Sequence, residues 1–285
     1  MSQRSSVAVV TDSTSDLSFE VAAAHDITIV PLNVHFGDEV FRDQIDITTD
    51  EFMARMAAAN TLPTTSQPSI GAFETAFREV AETHSEIVCV VLSSKLSGTY
   101  QSAQIAAMNV AETIKVELVD TLNVTYGLGF QVLRAAELAS NGQDATTIAS
   151  TLRSELGHYH VVFFVETLEH LRRGGRIGKA AQLVGSLLQL RPLLRIDEGQ
   201  VVPFERTRTR GKAMDALAAF AGSVGVPEEI AVIYNTTPGD ARKLADKVAT
   251  LTPEHDVIIV QLGPVIATHI GPDVLGIIVK ERLSD

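Results

Sequence analysis

Short apolar runs rich in β-branched residues recur along this chain, each followed by a longer stretch of helical periodicity. No other feature restricts the fold as much. VAVV (7–10) leads into LSFEVAAAH and then ITIVPL (27–32), while IVCVVL (87–92) and VELVD (116–120) each precede helix-like segments. VVFFV (161–165), LLRID (193–197), QVVPFE (200–205), IAVIY (230–234) and VIIVQ (257–261) form a second series. Runs this short, without polar alternation, read as strands buried on both faces, and the helices between them supply the crossovers of a parallel sheet. The predicted fold class is α/β, built as two α/β domains. Two stretches depart from the pattern. NVHFGDEVF (33–41) sets Gly-Asp between extended halves and predicts a hairpin excursion near 33–68. LRIDEGQVVPFE predicts a second hairpin turning at 197–199, so the second half should mix parallel and antiparallel strands. The weakest join falls at Gly157 to His160. It divides the chain into an N-terminal domain, 1–158, which includes the excursion, and a C-terminal domain, 159–285.

A chain of 285 residues can bury a full core, and its net charge of −12 argues against nucleic-acid binding, which calls for a basic stripe. The single cysteine, Cys89, lies inside an apolar run; it has no intrachain disulfide partner and reads as inert core. Nothing near the start reads as a signal peptide, and no window holds about 18 uninterrupted apolar residues. The expected location is the cytoplasm.

Hydroxyl-rich loops follow several of the strands. In TDSTSDL (11–17), Asp12 and Asp16 could hold Mg²⁺ for a phosphotransferase or hydrolase, or Ser15 or Asp16 could simply cap the next helix. Asp12 and Ser13 would in either case line the crevice at the strand ends. PTTSQPSIGAF (63–73) is a loop stiffened by Pro63 and Pro68, whose Thr64, Thr65 and Ser66 precede the cap at Ser69; it suits a binding loop or a plain connection. LSSKLSGTYQSA (92–103) has neither G-x-S-x-G nor S-x-x-K spacing, which argues against a nucleophilic serine. Ser97 is the expected N-cap, Gly98 would let a ligand approach the backbone, and the free N–H groups of the first turn favour an anion.

LRRGGRIGK (171–179) lacks Walker A spacing, which leaves Arg176, held on a flexible glycine pair, either to offer its planar fork to a carboxylate or phosphate or to stand as a solvated helix-end charge. RTRTRGK places Arg206, Arg208 and Arg210 alternately and suggests partner docking or an interdomain salt bridge. His158 and His160 share one strand face without a third metal ligand and read as packing. His269, in THIGPDVLG, reads as structural unless it meets the anion site.

VTDSTSDL, TSQPS, LSGTYQSA, GGRIG followed by LLQLRPLLRIDEGQV, and HIGP stand in this order along nearly the whole chain, and together they resemble the DegV family of bacterial lipid-binding proteins. The resemblance implies two α/β domains with a long-chain fatty acid between them. Thr65, Ser97 and Gly98 would hold its carboxylate, with Arg176 and His269 close by and Ser66 at the edge. It further implies a binding subunit without catalysis, cofactor or metal of its own, which presents the acid to an ATP-dependent fatty acid kinase subunit for conversion to acyl phosphate in phospholipid metabolism. Two positions depart from the pattern: Asp273 and Lys95 stand where the family usually or often has glycine.

Overall fold

The computed structural model describes residues 5–184 and 191–283, so positions 187–190 of the LLQL motif lie outside the described residues. The first half runs β1 (Ser5–Asp12), α1 (Phe19–Ala24), β2 (Ile27–Val30), β3 (Asn33–Phe36), β4 (Glu39–Arg42), α2 (Thr49–Ala58) and β5 (Thr64–Ser66). It continues through α3 (Ile70–Val80), β6 (His84–Val91), α4 (Thr99–Asn109), β7 (Lys115–Asp120), α5 (Tyr126–Ser140) and α6 (Ala145–Glu155). The second half comprises β8 (Tyr159–Phe164), α7 (Glu169–Arg173), β9 (Arg191–Asp197), β10 (Gln200–Thr207) and α8 (Arg210–Ala221). After these come β11 (Pro227–Tyr234), α9 (Pro238–Val248), β12 (Ile258–Gln261), α10 (Pro264–Ile270) and β13 (Leu275–Glu281). This mixture of helices and sheets is the α/β class expected.

The chain divides into two units, Met1–Asn33 with Ser66–Leu156, and Val34–Thr65 with Gly157–Asp285. The excursion therefore groups with the C-terminal unit, not with the N-terminal domain to which its place in the sequence had assigned it. The physical reason is visible at its anchors. Thr49 Oγ1 donates to Leu262 O, the Asp43 carboxylate accepts from Val265 N, and Gln261 Nε2 donates to Asp50.

In the first unit the sheet order is β2-β1-β6-β7, all parallel. The run Ile87–Val91 is wholly buried, and on one face α3 lays Phe73 and Phe77, and α4 lays Ala103 and Ala106, against Ile87, Cys89 and Val91. Cys89 lies within this core, where burial pushes its thiol well above the ordinary range. The first strand's loop is capped differently from the expectation. Asp12 caps a short 3₁₀ turn, Ser13–Ser15, and Ser18 caps α1 by accepting from Val21 N.

In the second unit the sheet order is β10-β9-β8-β13-β11-β12, and only β11–β12 is parallel. Two features make it mainly antiparallel. Glu198 and Gly199 both take positive φ, forming the tight turn that folds β9 onto β10. The run from Leu275, which the apolar-run reading passed over, inserts between β8 and β11. Val162, Phe164, Val232 and Ile277 meet Leu217 of α8 and Leu244 of α9 on one face of this sheet. No helix among the described residues is long and apolar enough to cross a membrane.

Candidate functional site

Two clusters of the sequence-predicted residues form, one in each unit. In the second unit, Thr65 reaches His269 across 204 positions of sequence, with Thr65 Oγ1 2.9 Å from His269 Nε2. Thr65 is on β5, held in an extended strand between Pro63 and Pro68. His269 is in the last turn of α10, a helix that starts with proline at N1. Beside them, Arg176 Nη1 donates to Gly174 O at 2.6 Å. These groups line a cavity of about 230 Å³, together with His170, Arg173 and Thr268.

The charge in this cavity is carried by its arginines. Burial, and then the neighbouring Arg176 charge, holds His269 down to about 4. Burial also lowers His170. Both imidazoles are therefore neutral near pH 7, and the positive groups are Arg176 and Arg173. Arg173 shares its charge with Glu169, whose carboxylate is 2.5 Å from Arg173 Nε and is held down to about 2 by Arg172 and Arg173. A polar, cationic lining of this kind suits a small anionic group.

In the first unit the sheet order reverses direction between β1 and β6, since β1 leads to β2 on one side and β6 leads to β7 on the other. Ligands of open α/β sheets bind outside such a reversal. Asp12 and the loop after Leu92 stand there. Asp12 is fully buried and accepts from Leu92 N at 2.8 Å, Thr14 N at 2.9 Å and Thr14 Oγ1 at 2.5 Å. Burial pushes its carboxyl up to about 6, against the pull of those three bonds. Asp16 accepts from Thr125 Oγ1 at 2.6 Å. Both carboxylates thus stitch loops together, and no group of three or more His, Cys, Asp or Glu able to hold a metal occurs among the described residues.

The hydroxyls of this unit are largely turned to their own backbone. Ser13 Oγ accepts from Leu32 N, Ser93 Oγ from Lys95 N, and Ser97 Oγ from Thr99 N. Gly98, not Ser97, is the N-cap of α4, and no side chain caps that helix. The space over the Gly98 Cα is not open to a ligand as the sequence suggested. A Cβ there would fall 2.4 Å from Gln67 Oε1, and Gln67 Nε2 donates to Ser102 Oγ. Ser66 is half-buried at the end of β5.

Of the three arginines expected to face a partner, Arg206 and Arg208 are exposed. Arg210 is turned inward instead. It pairs with Asp240 at 2.6 Å, donates to Asp273 O and Thr237 Oγ1, and lies over the Phe164 ring. Asp273 takes the φ of +59° that favours glycine, and its carboxylate accepts from Thr236 Oγ1 at 2.7 Å. Lys95 is exposed. His158 and His160 both face Glu281, at 3.9 and 3.3 Å.

Sequence reasoning missed His170, Arg173 and Gly174. Their signal was present in EHLRRGG, where His170 and Arg173 are spaced to share a helix face just ahead of the glycines.

The DegV family pattern, described as an uncharacterised protein family, matches residues 6–282. A DegV domain-containing protein of Streptomyces coelicolor is 37% identical over 97% of this chain and 99% of its own. The structure of a DegV family protein from Thermus thermophilus, described by its fatty acid binding, is 35% identical with a TM-score of 0.88, covering 98% of this chain and 100% of that one. Bacillus subtilis DegV, described as a fatty acid binding protein, is also 35% identical with a TM-score of 0.88, covering 97% and 99%. With the match extending over nearly its entire length, this chain belongs to the DegV family.

Proposed function

We propose that this protein binds a long-chain fatty acid by its carboxylate and presents it to a separate ATP-dependent kinase subunit, which phosphorylates it to the acyl phosphate. The observation that carries the binding step is the convergence of Thr65, His269 and Arg176 on one cavity. In a family whose solved relatives are described as fatty acid binding, that cavity suits the head group. Ser97 and Gly98, named by the family resemblance, belong to the other unit and are engaged there, Ser97 Oγ with Thr99 N and Gly98 against Gln67, so the proposed carboxylate site is the cavity of Thr65, His269 and Arg176. Each enclosed methylene contributes about 0.8 kcal/mol, so a tail of about fifteen contributes roughly 12 kcal/mol gross, opposed by association and ordering costs of several kcal/mol. The protein itself supplies no phosphoryl chemistry in this reading, and Arg206 and Arg208 are the residues proposed to dock the kinase.

Native mass spectrometry of protein purified without added lipid, followed by extraction, tests the binding step; a retained long-chain monocarboxylate is the expected result. Protein that is uniformly ligand-free and ignores added oleate and palmitate would refute it. Incubation with Mg·ATP and oleate, with and without a candidate kinase subunit, tests the second step, and acyl phosphate should form only when both proteins are present.

A further inference from the structure

The adjacent glycines 174 and 175 are glycine for different reasons. α7 ends in a closed C-terminal motif, in which Arg176 N donates to Leu171 O and Gly175 N donates to Arg172 O. Gly175 occupies its left-handed position, with φ of +71°. Gly174 does not. Its φ of −73° and ψ of −7° are ordinary helical values that alanine adopts without strain. What alanine would meet at 174 is His269, because a Cβ there would fall 2.3 Å from Nδ1. The pair is therefore a rigid stop, not the flexible mount expected from sequence.

The same residue touches both halves of the head-group cluster. Its bare Cα seats the His269 ring, and its carbonyl holds Arg176 Nη1. His269 Nδ1 is buried against it without a hydrogen-bond partner. A buried N–H left without an acceptor is rarer and costlier than a bare lone pair, which assigns the imidazole proton to Nε2. Nε2–H then donates to Thr65 Oγ1, and the Thr65 hydroxyl proton is left to point at a ligand oxygen.

We propose that Gly174 is a positioning residue of the head-group site: the absence of a Cβ holds His269 as the Nε2–H tautomer against Thr65, so that Thr65 serves as a donor, while its carbonyl fixes Arg176. This rests on the reading of the cavity as a carboxylate site, but the ring geometry it asserts is testable without any lipid.

The test is a double-mutant cycle on the full chain, with oleate binding measured by calorimetry. G174A should weaken oleate binding about 10-fold or more, the size of one lost hydrogen bond to a charged group. In the H269A background, where the ring is gone, G174A should cost less than about 2-fold. G211A, where a Cβ meets nothing within 4 Å, is the control and should bind as wild type. Nitrogen-15 shifts of His269 should show the Nε2–H tautomer in wild type and a shifted or mixed state in G174A. Wild-type affinity in G174A would overturn the proposal, as would an equal loss with and without the ring, because the added methyl would then act on the ligand directly. An Nδ1–H tautomer in wild type would also overturn it, and that reading remains decisive if G174A does not fold. Failure of wild type itself to bind oleate would instead refute the carboxylate reading while the tautomer still judges the geometry.

Discussion

The two clusters look alike in sequence and differ in how their polar atoms are satisfied. In the first unit, Asp12, Ser13, Ser93 and Ser97 each accept from a backbone N–H, and so hold loops in place. In the second, Thr65 meets a side chain from 204 residues away, beside a cavity. A dense run of hydroxyls can therefore mark either a fastened loop or a binding site. The void separates the two: in the first unit backbone and side-chain partners alike fasten loops, whereas in the second the partnered groups line a cavity.

Substitutions should break this comparison in opposite ways. Asp12→Ala leaves the N–H groups of Leu92 and Thr14 buried without an acceptor and should cost about 3 kcal/mol in chemical denaturation. Oleate affinity of the folded protein should change less than about 3-fold. A large affinity loss at unchanged stability would move the binding site to the first unit.

The two buried groups should also titrate in opposite directions. His269 is lowered from 6.5 to about 4, so it contributes stability that is complete above pH 6.5 and lost as pH falls towards 4. Asp12 is raised from 3.8 to about 6, so its contribution is complete below pH 3.8 and lost as pH rises through 6. Each amounts to about 3 kcal/mol. His269→Gln should therefore gain about that much relative to wild type between pH 7 and 4, and Asp12→Asn should gain a similar amount in the reverse direction. Difference curves that are flat, or that share one sign, would sink the contrast.

Two arginines sharpen it at smaller scale. Arg176→Ala should weaken oleate binding about 10- to 100-fold with little change in stability, since charge-assisted hydrogen bonds contribute roughly 1.5–3 kcal/mol. Arg210→Ala should do the reverse, because its partners Asp240, Thr237 and Asp273 are all internal. Equal affinities for the two variants would remove Arg176 from the site. The smallest effect is expected for Arg206→Ala with Arg208→Ala. These are exposed, so stability should stay within about 0.5 kcal/mol while acyl phosphate production with the kinase falls. Unchanged production would end their docking role.

What could be read from sequence follows from how local each interaction is. The inner strands of the first sheet, β1 and β6, were legible because burial on both faces leaves a continuous apolar run, as at Ile87–Val91. β13 was passed over although GIIVK is as apolar, since it follows a Gly-Pro-Asp turn with no helix after it. The excursion was assigned to the wrong unit because its ties, such as Thr49 to Leu262, span 213 positions. Thr65 and Arg176 stood out in their own loops as candidate binding residues, but that they share one site with His269 was implied only by the family resemblance, because no spacing rule connects them. Gly174 carries its meaning in the ring packed against it, which only the folded chain displays.

The interleaved order of the second unit bears on how the chain is made. β13 occupies an inner position between β8 and β11 yet follows every other strand of its sheet, and Thr65 waits 204 residues for His269. At about 5–20 residues per second, that wait is roughly 10 to 40 s on a ribosome. The first unit, whose parallel sheet is complete by Asp120, can close during this time, while Val34–Thr65 stays without its partners. The cavity is thus assembled late, after the scaffold beside the Asp12 loop has already formed.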